Sequence, residues 1–255
     1  MKQFISLMKK DFMELFRTKK ILILGIVFLF FTILSPISAY LLPDLFELIG
    51  QTEQEIIIIF PDPTYVDSYY QFISNFGQMV VFVMIIVLAP LIVDEKRKGT
   101  FHTLLNNKVS KANFVLSKVL SQVKVITGLY LISIGAFLLY TKILFDQAIF
   151  SNWILFFVSI YFYLIFLICM VNLISVISKT NITSIVMSIL AFFSIMIFNF
   201  IPFIGKYMPN HLMTIATNII TDGDYAKYAN GNIIVTILLS IVLLFLSIKL
   251  CSYED

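Results

Sequence analysis

The residues best able to do chemistry lie in one charged stretch, Asp94 to Lys118, with the sequence DEKRKGTFHTLLNNKVSKANFVLSK. It holds six of the 18 Lys and Arg residues of the chain, and a long apolar run precedes and follows it. Within it, Phe101, Leu104 and Leu105 stand at positions i, i+3 and i+4, which share one face of a helix. The pattern predicts a short amphipathic helix in water that presents this apolar face to another molecule.

Motifs of catalysis and metal binding are missing from the sequence. No nucleotide-binding loop, zinc-protease helix or serine-hydrolase elbow occurs, and no pair of carboxylates lies within an apolar run. No Asp, Glu or Arg lies in the middle of such a run, which argues against a proton-coupled carrier or a stand-alone channel. The two cysteines, Cys169 and Cys251, lie in different surroundings and predict neither a disulfide framework nor a metal site. We therefore expect no catalytic residue, metal or cofactor in this chain.

Composition indicates an integral membrane protein. Of the 255 residues, 60% are hydrophobic and 13% are charged, against roughly 25% charged residues in soluble domains. The basic residues are explained by membrane orientation, so we do not expect nucleic-acid binding. The apolar run after Lys20 is long enough to span and no Ala-x-Ala cleavage site follows it, so we expect no cleavable signal peptide.

Residues 1–20 predict a helix that lies in the membrane interface. Phe4, Met8, Phe12 and Phe16 recur at helical spacing, while the charged residues occupy the other faces. Such a helix places its apolar face at the acyl boundary and its basic face toward anionic headgroups. The alternative is a helix packed on a soluble domain, and the sequence offers no such domain.

The chain as a whole, 1–255, predicts a single all-α transmembrane domain with six spans. The expected segments are spans at 21–42, 75–93, 118–141, 153–178, 182–203 and 232–250, an outer loop at 43–74, a cytoplasmic stretch at 94–117 and an outer segment at 204–231. Fifteen of the 18 Lys and Arg residues fall on one side of this arrangement. The positive-inside rule therefore predicts that both termini lie in the cytoplasm.

Local signals predict several details of these segments. We expect Pro90 to bend the second span and Ser110 to cap the helix that leads into the third. Lys118 and Lys124 stand at the inner end of that span, where their side chains can reach the headgroups. The residues from His211 onward, HLMTIATNII, predict a short amphipathic helix in the outer leaflet.

Polar and small residues within the spans have two possible roles. Asn172 and Asn199 either line a substrate path or form hydrogen bonds between helices, and helix packing is the more common role. Ser184, Ser188 and Ala191 form a small-residue face on the fifth span, which predicts close helix packing or a seam between two chains.

The stretch from Glu95 to Lys118 resembles the ABC-2 permease family, the membrane subunits of many bacterial ABC exporters. The family pattern is roughly E-x-x-x-G-T-x-x-x-L-L-x-x-P-V-S-R, followed by a lysine at the next span. The matching residues are Glu95, Gly99, Thr100, Leu104, Leu105, Val109, Ser110 and Lys118. The sequence departs at Lys108, where proline is common, and at Lys111, where arginine is common. Neither departure removes the apolar face or the charge.

The resemblance implies a type V exporter-like permease fold in a bacterial plasma membrane. Two permease chains, identical or homologous, would pair, and two copies of a separate ABC ATPase would bind ATP and Mg and dock below them. A coupling helix around Lys98 to Asn106 would enter the ATPase, and 1–20 would be the elbow helix. The implied ATPase-coupling residues are Glu95, Gly99, Thr100, Phe101, Leu104 and Leu105.

The resemblance also suggests a substrate class. The isoleucine- and phenylalanine-rich composition and the acidic outer loop are most similar to Gram-positive exporters of amphipathic peptides, such as the staphylococcal exporters of phenol-soluble modulins. We therefore expect ATP-driven export of an amphipathic or hydrophobic peptide, toxin, antimicrobial or lipid-like molecule. The alternative is an immunity or sensor protein in the membrane that binds a peptide without transporting it.

Overall fold

The computed structural model describes residues 2–50, 62–100, 109–198, 201, 205–221 and 226–251. Among these residues all regular structure is helical, and no strand occurs. The helices are α1 (Lys2–Arg17), α2 (Lys20–Gly50), α3 (Tyr65–Asn75), a π-helical segment (Phe76–Val80), α4 (Val81–Leu88), α5 (Pro90–Arg97), α6 (Lys111–Phe145), α7 (Trp153–Ile177), α8 (Asn181–Phe198), α9 (His211–Thr221) and α10 (Ala226–Leu250). The predicted all-α class is confirmed.

Six helical stretches of the described chain are long and apolar enough to cross a membrane, by length and composition. These stretches are Lys20–Leu42, Tyr65–Arg97, Lys111–Phe145, Trp153–Ile177, Asn181–Phe198 and Lys227–Leu250. The second is composite, because α3, the π-helical segment, α4 and α5 follow one another with little interruption.

Several helices extend beyond the expected spans. α2 continues to Gly50, α3 already begins at Tyr65, and α10 begins at Ala226. The early start of α3 has a local cause, because the backbone N–H of Thr64 donates to the Asp67 carboxylate at 2.8 Å in a capping box. Capping residues can start a helix outside the apolar run by which a span is predicted from the sequence.

The centre of the bundle is α7, which packs against α4, α5, α6, α8, α9 and α10. An aromatic cluster fills the space between α3, α6 and α7. The ring centroids of Tyr69 and Phe137 lie 4.8 Å apart, and Phe72 stacks on Phe76 at 4.5 Å. These rings are fully buried, so this face of the composite second span lies in the core of the bundle, whereas Met79, Phe82 and Ile86 of the same span are exposed.

The proline-containing junction in the second span is fixed by two serines. Pro90 has no N–H donor, and Ala89, whose backbone remains helical with φ of −55° and ψ of −39°, separates α4 from α5, so the bend expected here stays a prediction. The Ser184 hydroxyl of α8 donates to the Ala89 carbonyl at 2.7 Å, and the Val93 N–H donates to the Ser175 hydroxyl at 3.4 Å. The small-residue face of α8 therefore packs within this chain, against α4 and α5.

Candidate functional site

The candidate site is a buried ion cluster where α1, α5 and α6 meet. Its centre is the ammonium group of Lys118 in α6, whose side chain is 3% exposed. The ammonium nitrogen lies 3.2 Å from Asp11 Oδ1, 2.8 Å from Glu14 Oε2 and 3.0 Å from Glu95 Oε1. Lys10 donates a further hydrogen bond to Glu95 Oε1. Three carboxylates and two lysines from three helices thus share one site.

The pair Glu95 and Lys118 also joins the two ends of the charged stretch 94–118. Glu95 lies near the end of α5, where the stretch begins, and Lys118 lies in the first turns of α6, where it ends. The contact between Glu95 and Lys118 therefore connects the place where the chain leaves α5 with the place where it enters α6.

Hydrogen bonds fasten α1 to the same place. The Ser117 hydroxyl donates to Asp11 Oδ2 at 2.7 Å, and the Ser121 hydroxyl donates to the Met8 carbonyl at 3.2 Å. Asp11 and Glu14 are three residues apart and so lie on one face of α1, toward α6. The amphipathic helix α1 therefore attaches to the bundle through a polar contact in addition to its apolar side chains.

Electrostatics explain why these charges tolerate burial. An unpaired buried charge costs several kcal/mol, and each carboxylate here faces an ammonium group. Burial alone would raise the pKa of Glu14, but the charge and hydrogen bond of Lys118 outweigh it and hold that pKa below its ordinary value of 4.5. The second oxygen of Glu95, Oε2, is buried and has no hydrogen-bond partner among the described residues.

The three carboxylates have the spacing of a metal site, with ligand oxygens of Asp11, Glu14 and Glu95 within 4.8 Å of one another. The ammonium of Lys118 lies within 3.2 Å of all three groups and so occupies the position that a cation would take. The arrangement is therefore explained as an ion cluster centred on a lysine.

A second set of contacts holds the other side of α5. The Asn181 side-chain amide donates to Asp94 Oδ1, and the Lys96 ammonium donates to the carbonyl of Val176. These partners flank the tight turn between α7 and α8. The end of α5 is thus attached on one side to α1 and α6 and on the other side to α7 and α8.

The predicted coupling residues fall partly within the described chain. Glu95 is buried, Gly99 has a φ of +70°, and the Thr100 hydroxyl donates to the Glu95 carbonyl at 3.0 Å. Glycine adopts this left-handed conformation without strain, so Gly99 turns the chain directly after α5. The apolar face formed by Phe101, Leu104 and Leu105 lies outside the described residues.

The predicted elbow residues divide into two groups. Phe12 and Phe16 are exposed at 38% and 65%, whereas Phe4 and Met8 are half-buried. Phe12 also lies under the Lys124 ammonium, which is 5.7 Å from the ring centroid. Exposed aromatic side chains on α1 fit the interfacial position expected from the sequence.

The expectation that the Lys118 side chain reaches the headgroups was wrong, since only 2% of this residue is exposed. Asp11, on α1, is likewise buried, with 3% exposed. The charges of Asp11 and Lys118 neutralise each other in the cluster, so neither side chain requires contact with water. The sequence does contain two carboxylates one helical turn apart in α1 and a lysine near the start of an apolar span. It does not show that these three side chains meet in the fold.

One buried polar pair in the bundle joins Asn172, which was singled out from the sequence, to Gln122, which was not. The Gln122 and Asn172 side-chain amides exchange hydrogen bonds of 3.1 and 2.7 Å, and Asn172 also donates to the Ile168 carbonyl at 2.7 Å. Both residues are buried, so Asn172 joins α7 to α6. Asn199 lies outside the described residues.

Comparison with known proteins identifies the family. Residues 5–250 match the family model described as ABC-2 family transporter protein. The chain belongs to the ABC-2 transporter family. It is therefore a membrane component of a transport system.

A relative in Bacillus subtilis (strain 168) supports the membrane assignment. The transmembrane protein YxlG is 22% identical over 152 residues, which cover 60% of this chain and 59% of YxlG. The chain thus matches somewhat less than two thirds of the length of this curated relative.

Proposed function

We propose that this chain is the permease subunit of an ATP-driven exporter that moves an amphipathic or hydrophobic molecule out of a bacterial cell. The observation that carries the proposal is the ion cluster at Glu95 and Lys118, which fixes both ends of the charged stretch to the bundle. A separate ATPase binds ATP and Mg and docks on that stretch. The permease itself supplies no catalytic group.

The cluster gives the docked ATPase a rigid connection to the spans. A short segment transmits motion only if its ends are held, because a loose segment absorbs the displacement. Here the end of α5 is attached to α1 and α6 through Glu95, and to the α7–α8 turn through Asp94 and Lys96. Movement of residues 94–117 would therefore displace several spans together and open the substrate path on alternate sides.

The proposed assembly contains two permease chains and two ATPase chains. Both termini of the permease lie in the cytoplasm, in agreement with the distribution of Lys and Arg. α8 presents strongly exposed apolar residues, with Ile182 at 74%, Ile197 at 65% and Leu190 at 60%. Lipid and a second permease chain can both cover this face.

Transport itself can be tested in inside-out vesicles that contain the permease and its ATPase. We expect a fluorescent amphipathic helical peptide to accumulate in these vesicles with ATP, and a polar peptide of equal length not to accumulate. A Walker-lysine variant of the ATPase supplies the control without hydrolysis. Peptide binding without ATP-dependent uptake would contradict export and favour the immunity or sensor function.

A further inference from the structure

A cavity of about 400 Å³ lies beside the ion cluster, between the C-terminal ends of α1 and α5. Three cationic side chains line it, those of Lys10, Arg17 and Lys98, together with the carboxylates of Glu14 and Glu95. The cavity adjoins the proposed ATPase contact, because Glu95 and Thr100 are among the implied coupling residues and Lys98 begins the expected coupling helix.

The two carboxylates of the cavity are partly neutralised, because Lys10 and Lys118 are shared among three carboxylates, those of Asp11, Glu14 and Glu95. Glu14 contacts Lys118 at 2.8 Å, while Glu95 contacts Lys118 at 3.0 Å and also binds Lys10. Within the described ranges, neither Arg17 nor Lys98 forms an ion pair with a carboxylate. With Arg17 and Lys98, four cationic side chains stand against the three carboxylates of the cluster and the cavity, so one net positive charge remains among these described residues.

Two backbone carbonyls at the cavity accept hydrogen bonds from threonine hydroxyls, which weakens their repulsion of an anion. The Thr18 hydroxyl donates to the Glu14 carbonyl at 2.7 Å, and the Thr100 hydroxyl donates to the Glu95 carbonyl at 3.0 Å. Both threonines line the cavity, and both carbonyls belong to the last turn of a helix. Carbonyls at helix ends carry partial negative charge, which these hydroxyl donors offset.

We propose that Arg17 and Lys98 bind the phosphate group of an anionic phospholipid in this cavity. A guanidinium group binds phosphate oxygens in pairs, and an ammonium adds a point charge. Met13 lines the cavity and is 48% exposed, and Phe16 on the same helix end is 65% exposed. A basic group beside exposed apolar side chains is the arrangement that holds a headgroup and its acyl chains. The site goes beyond the proposed transport function, because its ligand is a membrane lipid and neither the nucleotide nor the transported molecule.

Native mass spectrometry of the purified full-length chain tests this site. The protein is exchanged into a defined mixture of dioleoylphosphatidylglycerol and dioleoylphosphatidylcholine, and the retained lipids are counted as the activation energy rises. We expect preferential retention of the phosphatidylglycerol, weakened about fivefold for each cation removed in Arg17→Gln and Lys98→Gln. Arg17→Lys keeps the charge and retains most of the preference.

A matched control removes two exposed lysines outside the cavity, in the double variant Lys9→Gln and Lys142→Gln. Equal loss in the control, or no preference for phosphatidylglycerol in the natural chain, would overturn the proposal. Thermal unfolding in phosphatidylcholine alone verifies that each variant is folded. Inorganic phosphate is added in a separate arm, and full displacement of the lipid preference by millimolar phosphate would assign the site to soluble phosphate and overturn the phospholipid assignment.

Discussion

The ammonium nitrogen of Lys118 and the Oε1 atom of Glu95 lie 3.0 Å apart, and both side chains are almost completely buried. One residue stands where the charged stretch leaves α5, and the other stands where that stretch has entered α6. The same lysine contacts two carboxylates of α1. A single ammonium group therefore holds together the helix at the N-terminus and both ends of the stretch that we expect to receive the ATPase.

Replacement of Lys118 by methionine should strongly destabilise the protein. The change leaves the buried carboxylates of Asp11 and Glu95, and the half-buried one of Glu14, without their central cation, and breaking a buried ion pair costs about 3–5 kcal/mol. Lys124→Met is the matched control, because Lys124 lies on the same helix but is exposed and contacts only the Phe12 ring among the interactions described. Thermal unfolding in detergent measures both variants. Similar melting temperatures for the two would show that the cluster contributes no stability.

The loss caused by Lys118→Met should be partly reversed by Asp11→Asn. Asp11 then no longer places a buried negative charge opposite an apolar side chain, and its amide can still accept from the Ser117 hydroxyl. A double-mutant cycle should give a coupling free energy of about 0.5–3 kcal/mol, the range for residues in direct contact. Strictly additive effects of the two substitutions would argue against the ion pair.

The turn at Gly99 should respond to any side chain. Its φ of +70° disfavours L-residues, although a Cβ placed there would meet none of the described residues beyond its chain neighbours within 4 Å. Gly99→Ala should therefore cost about 1 kcal/mol from backbone strain alone. Gly128→Ala is the control, since Gly128 lies in α6 with equally open space, and there alanine should stabilise the helix. A stabilising Gly99→Ala substitution in unfolding experiments would contradict this turn geometry.

Acid should weaken the attachment of α1. Lys118 holds the pKa of Glu14 below 4.5, so the stabilisation from this pair is complete above about pH 4.5 and is lost as the pH falls through the lowered pKa. The unfolded chain binds the proton more readily, and stability therefore falls with falling pH. We expect Glu14→Gln to flatten the dependence of the melting temperature between about pH 5 and pH 3. Asp146→Asn, at an exposed site, should leave that dependence unchanged.

Local sequence signals predicted the elements well. The Ser110 hydroxyl accepts the Asn113 N–H at 3.2 Å as the N-cap of α6, and the amphipathic segment from His211 forms α9. These predictions succeeded because capping and helical periodicity involve residues close in the chain. Span ends were less predictable, since Thr64 and Asp67 start α3 well before the apolar run.

Tertiary charge pairing could not be predicted in the same way. Asp11 and Lys118 belong to segments far apart in the sequence, and each has a reasonable local explanation as a residue at the membrane surface. Gln122 was overlooked for a similar reason, because its only distinguishing feature is the Asn172 amide on another helix. Buried polar contacts between helices require the packing of the helices to be known.

We expect an ABC ATPase to dock on the stretch between Glu95 and Lys118. The most direct measurement is affinity purification of the tagged chain from native membranes, with quantitative mass spectrometry of the proteins bound to it. We predict an ABC ATPase in one-to-one ratio with the permease, lost in Leu104→Asp and retained in Lys142→Gln at equal yield of the tagged chain. A chain that purifies alone, or an ATPase that Leu104→Asp leaves fully bound, would contradict this account.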